Sequence, residues 1–200
     1  VLTLLTPLIV TPYLSRVLGA DGVGTVSFAE SIVSYFNFFA VLGVTTYGQR
    51  EISYVQDDKN KRSHLFWETK VLEIITSLIA LAVYIPFSLF QENRTIYLIL
   101  AFNLLAVLVD VTWFFQGMEE FGKIVLRNIV FKLANIAYVF LVVRTKGDVI
   151  WYAFGLSFFL FLSNASLWAY LSKYVDRPKL KQINPFRNIK VILSLFVPTI

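Results

Sequence analysis

At 200 residues the chain is long enough for one or two soluble domains. Its composition excludes that reading, because 57% of the residues are hydrophobic, only 16% are charged and the mean hydropathy is +0.67, the signature of a polytopic membrane protein. The formal net charge of +5 does not argue for a nucleic-acid partner, since the basic residues fall between apolar runs. The absence of cysteine excludes disulfides and thiolate metal sites. A single histidine, His64, argues against a histidine metal site or a Ser-His-Asp triad.

The chain starts inside one apolar run and ends inside another, so it reads as a fragment whose amino-terminal targeting signal cannot be assessed. The first predicted span covers residues 1–18 and contains Pro7 and Pro12, which either open a hinge beside a cavity or merely bend a packed helix. Gly19, Gly22 and Gly24 predict a tight turn. The second span, 25–47, is long enough to cross a bilayer and carries one charge, Glu30. Ser27, Glu30, Ser31, Ser34 and Asn37 recur at steps of three and four and so share one helix face. Such a helix should line a cavity with its wet stripe and turn its oily back to lipid or neighbours. A carboxylate at mid-bilayer costs roughly 3 kcal/mol even on the lenient scale, which marks it as functional or paired. Arg16 and Arg50 frame the segment.

The loop 49–63 is hydrophilic; its Asp57-Asp58 pair reads as a solvated turn rather than half of a metal site. Further spans are predicted at 65–90, 96–115, 124–143 and 149–171, with a seventh starting at 191–200 and containing Pro198. The expected fold is therefore all-α: a polytopic helix bundle of six transmembrane helices plus the start of a seventh. Thirteen Lys and Arg side chains fall in the loops or helix ends of one side: Arg50, Lys59, Lys61, Arg62, Lys70, Lys123, Arg127 and six in 173–190. The other side has four, Arg16, Arg94, Arg144 and Lys146. The crowded side should be cytoplasmic, which puts the amino end inside. Trp67, Trp113, Trp151 and Trp168 all fall near predicted interfaces.

Inside the later spans Asp110 and Lys132 are charged, Asn128, Lys132, Asn135 and Tyr138 form a second polar stripe, and Ser157, Asn164 and Trp168 a weaker one. Several readings stand side by side. Asp110 and Lys132 form a buried ion pair that only fixes packing, Lys132 snorkels to an interface, and Glu30 pairs with Arg16 or the serines. Alternatively, three helices turn polar groups toward one hydrated cavity.

The segments TPYLSRVLGADGVGTVSFAESIVSYF (11–36) and LGVTTYGQREIS (42–53) resemble the amino-terminal signature of bacterial polysaccharide-repeat-unit flippases, in the multidrug/oligosaccharidyl-lipid/polysaccharide exporter superfamily. DVTWFFQGMEEFGKIVLRNIVFK (110–132) and LFVPTI (195–200) resemble the same family. The resemblance covers essentially the whole chain as the first half of a family member. It implies one lobe of a two-lobed bundle in the bacterial cytoplasmic membrane, which moves a polyprenyl-pyrophosphate-linked oligosaccharide by alternating access. No cofactor is implied, though protons or sodium ions would drive the cycle. The implied partners are the lipid-linked oligosaccharide, the bilayer and the polysaccharide polymerase machinery.

In that role Arg16, Arg50 and Lys132 would meet the phosphates, arginine by bidentate bonding. Ser27, Ser31, Ser34, Asn37, Asn128 and Asn135 would meet the sugar. Glu30 or Asp110 would carry the coupling ion, because burial disfavours the charged form of a carboxylate. A cation-coupled multidrug antiporter of the same superfamily is the alternative, though it has no need of cavity cations. A polyprenyl-dependent transferase would need a catalytic cluster in a loop, and none is present beyond Asp57-Asp58; a purely structural scaffold would not need Glu30.

Overall fold

The computed structural model describes residues 2–177 and 183–196, with side chains from residue 6 onward. Lys179, Lys181 and Pro198 lie outside the described residues. The order is α1 (Leu2–Val17), α2 (Gly19–Val41), α3 (Val44–Tyr54), α4 (Lys59–Leu89), α5 (Arg94–Leu108), α6 (Thr112–Gly117), α7 (Phe121–Val142), a 3-10 turn (Lys146–Asp148), α8 (Val149–Ser166), α9 (Trp168–Leu171) and α10 (Ile189–Phe196). The fold is all-helical, as the apolar runs predict.

Among the described residues four segments are long and apolar enough to cross a membrane: Lys59–Leu89, Arg94–Gly117, Phe121–Val142 and Lys146–Leu171. A fifth qualifies only when α2 and α3 are taken together, because the polar stripe dilutes the apolar character of α2. α1 remains one helix through Pro7 and Pro12, so neither proline breaks it. The glycine turn contracts to Gly19, which takes φ +76°, while Gly22 and Gly24 sit inside α2.

The sixth predicted span is divided only by a one-residue turn at Leu167, between α8 and α9, whereas two others are broken more sharply. The second is interrupted at Leu42 and Gly43, both left-handed at φ 45° and 75°, and α3 leaves at 41° to α2. Glycine is needed there for a second reason: a Cβ on Gly43 would lie 2.9 Å from the carbonyl oxygen of Ile192 in α10. The fourth is interrupted between α5 and α6, and Asp110 lies in the break rather than within a helix.

α5 occupies the middle, against α2, α4 and α8. α7 packs on α8, and α1 leans on α2 and α7. The order α1–α2–α5–α8–α7 therefore closes into a ring, with α4 behind α2 and α5. Val26, Ala29 and Val33 of α2 are buried against Tyr84, Leu100 and Leu104, which accounts for the oily back of that helix. At one end of the ring a second cluster gathers Phe66, Trp113, Phe114 and Phe115 around Leu167 and Leu171.

That end also gathers α3, α6 and the start of α4. Asp58 caps α4, its Oδ1 accepting from the N–H groups of Asn60 and Lys61 at 3.0 and 3.1 Å. These donors hold its carboxyl below the usual carboxylate range. Arg62 donates to the Tyr174 carbonyl at 2.8 and 3.0 Å, and Trp67 Nε1 to that of Asp176 at 2.9 Å. Trp113 is fully buried and so is no interfacial belt residue; among the four tryptophans Trp151, at the opposite end, is exposed.

α3 and α6 meet through glycine. A Cβ on Gly48 would overlap the Trp113 indole, and one on Gly117 would lie 2.6 Å from the Gln49 carbonyl oxygen. We predict that Gly48→Ala in the full-length protein costs about 1–3 kcal/mol through overpacking, read as a lower melting temperature in detergent. Gly24→Ala, with open space around it inside α2, should not lower the melting temperature, since alanine is the better helix former.

Candidate functional site

Between α2 and α7, over α5 and α8, lies an open cavity of about 750 Å³. α2 contributes Glu30, Ser31, Ser34 and Asn37, and α7 contributes Asn128, Lys132 and Asn135. Two periodic stripes read from the sequence thus face one space, because α5 and α8 hold α2 and α7 apart as facing walls. Asn103 of α5 and Ser163 of α8 add polar groups, and Phe131, Leu156, Phe159 and Leu160 supply apolar wall. Seven of the ten residues proposed for a substrate path line this cavity.

The other three do not. Ser27 lies on the same stripe but about 4.5 Å further toward the α1–α2 junction than Glu30, at 1.5 Å per residue, and is exposed there. Arg16 is exposed in the last turn of α1. Arg50 lies beyond the break at Leu42–Gly43, so the bend carries it off the α2 face, and it pairs with Glu51 at 2.8 Å.

Among the described residues Glu30, Lys132 and Asp110 make no ion pair within 4 Å, so the Asp110–Lys132 and Glu30–Arg16 pairs do not form. Asp110 acts locally instead. Its Oδ1 accepts from the backbone N–H of Thr112 at 2.9 Å and from the Thr112 hydroxyl, starting α6 in the manner of a helix cap. That carboxylate is occupied at the helix break and does not line the cavity.

The hydroxyls of Ser31 and Ser34 donate to carbonyls of their own helix, those of Phe28 and Ser31, at 2.7 and 2.6 Å. They therefore present lone pairs rather than protons to the cavity. The Oδ1 atoms of Asn37 and Asn135 are buried with no hydrogen-bond partner. A buried unmade bond costs about 1–3 kcal/mol, so these two acceptors, one on each facing wall, mark places where a donor from solvent or cargo would be welcome.

The weaker stripe on α8 and α9 serves packing. Ser157 donates to Ala153 of its own helix at 2.9 Å, Asn164 Nδ2 donates to the Ala106 carbonyl at 2.9 Å, and Trp168 Nε1 donates to that of Val109 at 2.6 Å. The last two satisfy carbonyls freed where α5 ends. Sequence reasoning missed the polar cluster beside this break. Lys70, counted from the sequence among the charges of the cytoplasmic side, is fully buried in α4. Its Nζ donates to Glu73 Oε2 at 2.7 Å and to the Asp110 carbonyl at 2.6 Å. Trp113 Nε1 completes the group with a 3.3 Å bond to the same Glu73 oxygen. The three-residue spacing of Lys70 and Glu73 on a helix was the available signal.

The chain matches the family model described as polysaccharide biosynthesis protein over residues 1–199. It is 30% identical over 153 residues to an Escherichia coli (strain K12) protein provisionally named an O-antigen transporter, covering 72% of this chain and 36% of that protein. It is 24% identical over 197 residues to a Shigella dysenteriae protein of the same provisional name, covering 96% of this chain and 48% of that protein. The chain thus spans less than half the length of either curated relative. No solved structure matches it. A helical bundle with a polar interior and a family match along nearly all of its length lead to one assignment: the chain belongs to the polysaccharide biosynthesis protein family of membrane proteins.

Proposed function

We propose that the protein containing this chain moves a polyprenyl-diphosphate-linked oligosaccharide across the bacterial cytoplasmic membrane, and that this chain supplies one wall of the path. The observation that carries the reading is the cavity lined by Glu30, Asn37, Asn128, Lys132 and Asn135 among lipid-length helices. Hydroxyl-bearing sugar needs amide and hydroxyl partners, and a diphosphate needs a cation, while the polyprenyl tail can stay in lipid. Lys132 is the cation of that lining and Glu30 its carboxylate. Glu30 is also our candidate to carry a coupling proton or sodium ion, since the Asp110 carboxylate is engaged at the helix break.

The basic residues Lys59, Lys61, Arg62 and Arg187 gather at the α3–α6 end, which the positive-inside rule makes cytoplasmic. Glu30 lies near the middle of α2 and Asn37 near its α3 end, so the cavity occupies the cytoplasmic half, as a state that receives cargo from inside would require. The naming of both relatives as transporters favours translocation over catalysis. The test is reconstitution of the full-length protein in proteoliposomes. Fluorescent lipid-linked oligosaccharide should change leaflet under an ion gradient. Efflux of a cationic dye with no movement of the glycolipid would instead select the multidrug-antiporter reading.

A further inference from the structure

Arg127 lies next to the cavity residue Asn128 on α7 and bridges three elements. Its Nε and Nη2 donate to Asn128 Oδ1 at 3.2 and 3.0 Å, and its Nη1 donates to Thr112 Oγ1 at 3.1 Å and to Asn164 Oδ1 at 3.2 Å. Thr112 starts α6, and Asn164 is anchored on the Ala106 carbonyl. The guanidinium is therefore held from two other helices before it reaches Asn128.

A guanidinium has donors only, so the asparagine must turn its oxygen to it. What Asn128 then has left for the cavity is its amide nitrogen with two N–H donors. Lys132, one helical turn along the same face, is also donor-only. The opposite wall has the contrary character: Ser31 and Ser34 have spent their protons on their own helix, and Asn37 Oδ1 is an unpartnered acceptor. The cavity thus sets donors at Asn128 and Lys132 of α7 against acceptors at Ser31, Ser34 and Asn37 of α2, with one more open acceptor, Asn135 Oδ1, further along α7.

We infer that Arg127 is a positioning residue that turns Asn128 into a donor, so that Asn128 and Lys132 together form an anion subsite for the phosphate portion of the cargo. The inference rests on the translocation reading above. Sugar hydroxyls are then directed toward the acceptors on α2. Arg127 itself does not line the cavity and acts through the amide it holds.

The test uses the full-length protein in detergent micelles, with undecaprenyl diphosphate and uncharged undecaprenol as probes. The wild type should prefer the diphosphate. Asn128→Leu and Arg127→Gln should each weaken diphosphate binding about tenfold, the scale of one charge-assisted hydrogen bond, and leave undecaprenol binding unchanged. The double variant should bind no worse than Asn128→Leu alone, because Arg127 works through Asn128. Equal losses for both probes, or a full further loss in the double variant, overturn the inference.

Asn128→Asp guards against a folding defect, since it still offers Arg127 an acceptor while removing the two donors. It should lose diphosphate binding as Asn128→Leu does, and wild-type affinity in this variant overturns the inference. If Lys132→Gln abolishes the preference and Arg127→Gln does not, the translocation reading stands and this inference falls. If the wild type has no preference, both fall.

Discussion

Lys70→Ala or Glu73→Ala in the full-length protein should lower stability by about 3–5 kcal/mol, because either change strands an uncompensated charge in the bundle. The two side chains are 0% and 1% exposed and meet at 2.7 Å. Each has one more hydrogen-bond partner across the fold: the Asp110 carbonyl for Lys70 and the Trp113 indole for Glu73. Removing one member therefore also orphans a group at the α5–α6 break. The double variant Lys70→Met/Glu73→Leu should recover much of the loss, since apolar replacement of a buried pair is often neutral. It should not recover all of it, because the Asp110 carbonyl and the Trp113 N–H stay unpaired. Thermal unfolding of a fluorescent fusion in detergent checks this order, and single variants within 1 kcal/mol of wild type would count against it.

The largest effect on transport is expected at Lys132. Lys132→Gln should reduce export of surface glycan at least about tenfold with normal amounts of protein in the membrane, the scale set by losing a hydrogen bond to a charged group, roughly 1.5–3 kcal/mol. The residue lines the cavity and makes no ion pair among the described residues, so its removal strands no buried partner and the fold should survive. Lys132→Arg should retain part of the activity. Arg16→Ala and Arg50→Ala should be milder, as both side chains lie outside the cavity. Full export by Lys132→Gln in a strain lacking the native protein would remove this residue from the mechanism.

The contrast between α2 and α4 explains which parts of the site were legible. The α2 stripe is a periodic set of polar residues on an apolar helix, and a helix with two unlike faces in lipid has few ways to satisfy both. Its orientation follows from local sequence, as does that of Asn128, Lys132 and Asn135 on α7. Lys70 and Glu73 carry no such stripe. They sit where a polar loop grades into an apolar run, and their burial depends on Trp113 and the Asp110 carbonyl, which are forty residues away in sequence. The same holds for Asp110. Its acidity suggested a cavity residue, yet the break before Thr112 converts it into the start of a short helix.

What the sequence determined by itself is the all-helical membrane class, the approximate positions of the spans and the existence of two polar helix faces. These follow from hydropathy and helical period, which act within one segment at a time. The tertiary structure alone decided that α2 and α7 share one cavity, that Arg16, Ser27 and Arg50 stand outside it, and that the second and fourth predicted spans break, between α2 and α3 and between α5 and α6. Those outcomes depend on which distant groups satisfy freed backbone and buried charge. Examples are the α10 backbone over Gly43, Lys70 on the Asp110 carbonyl and Trp168 on the Val109 carbonyl. No window of local sequence contains both partners of such a contact.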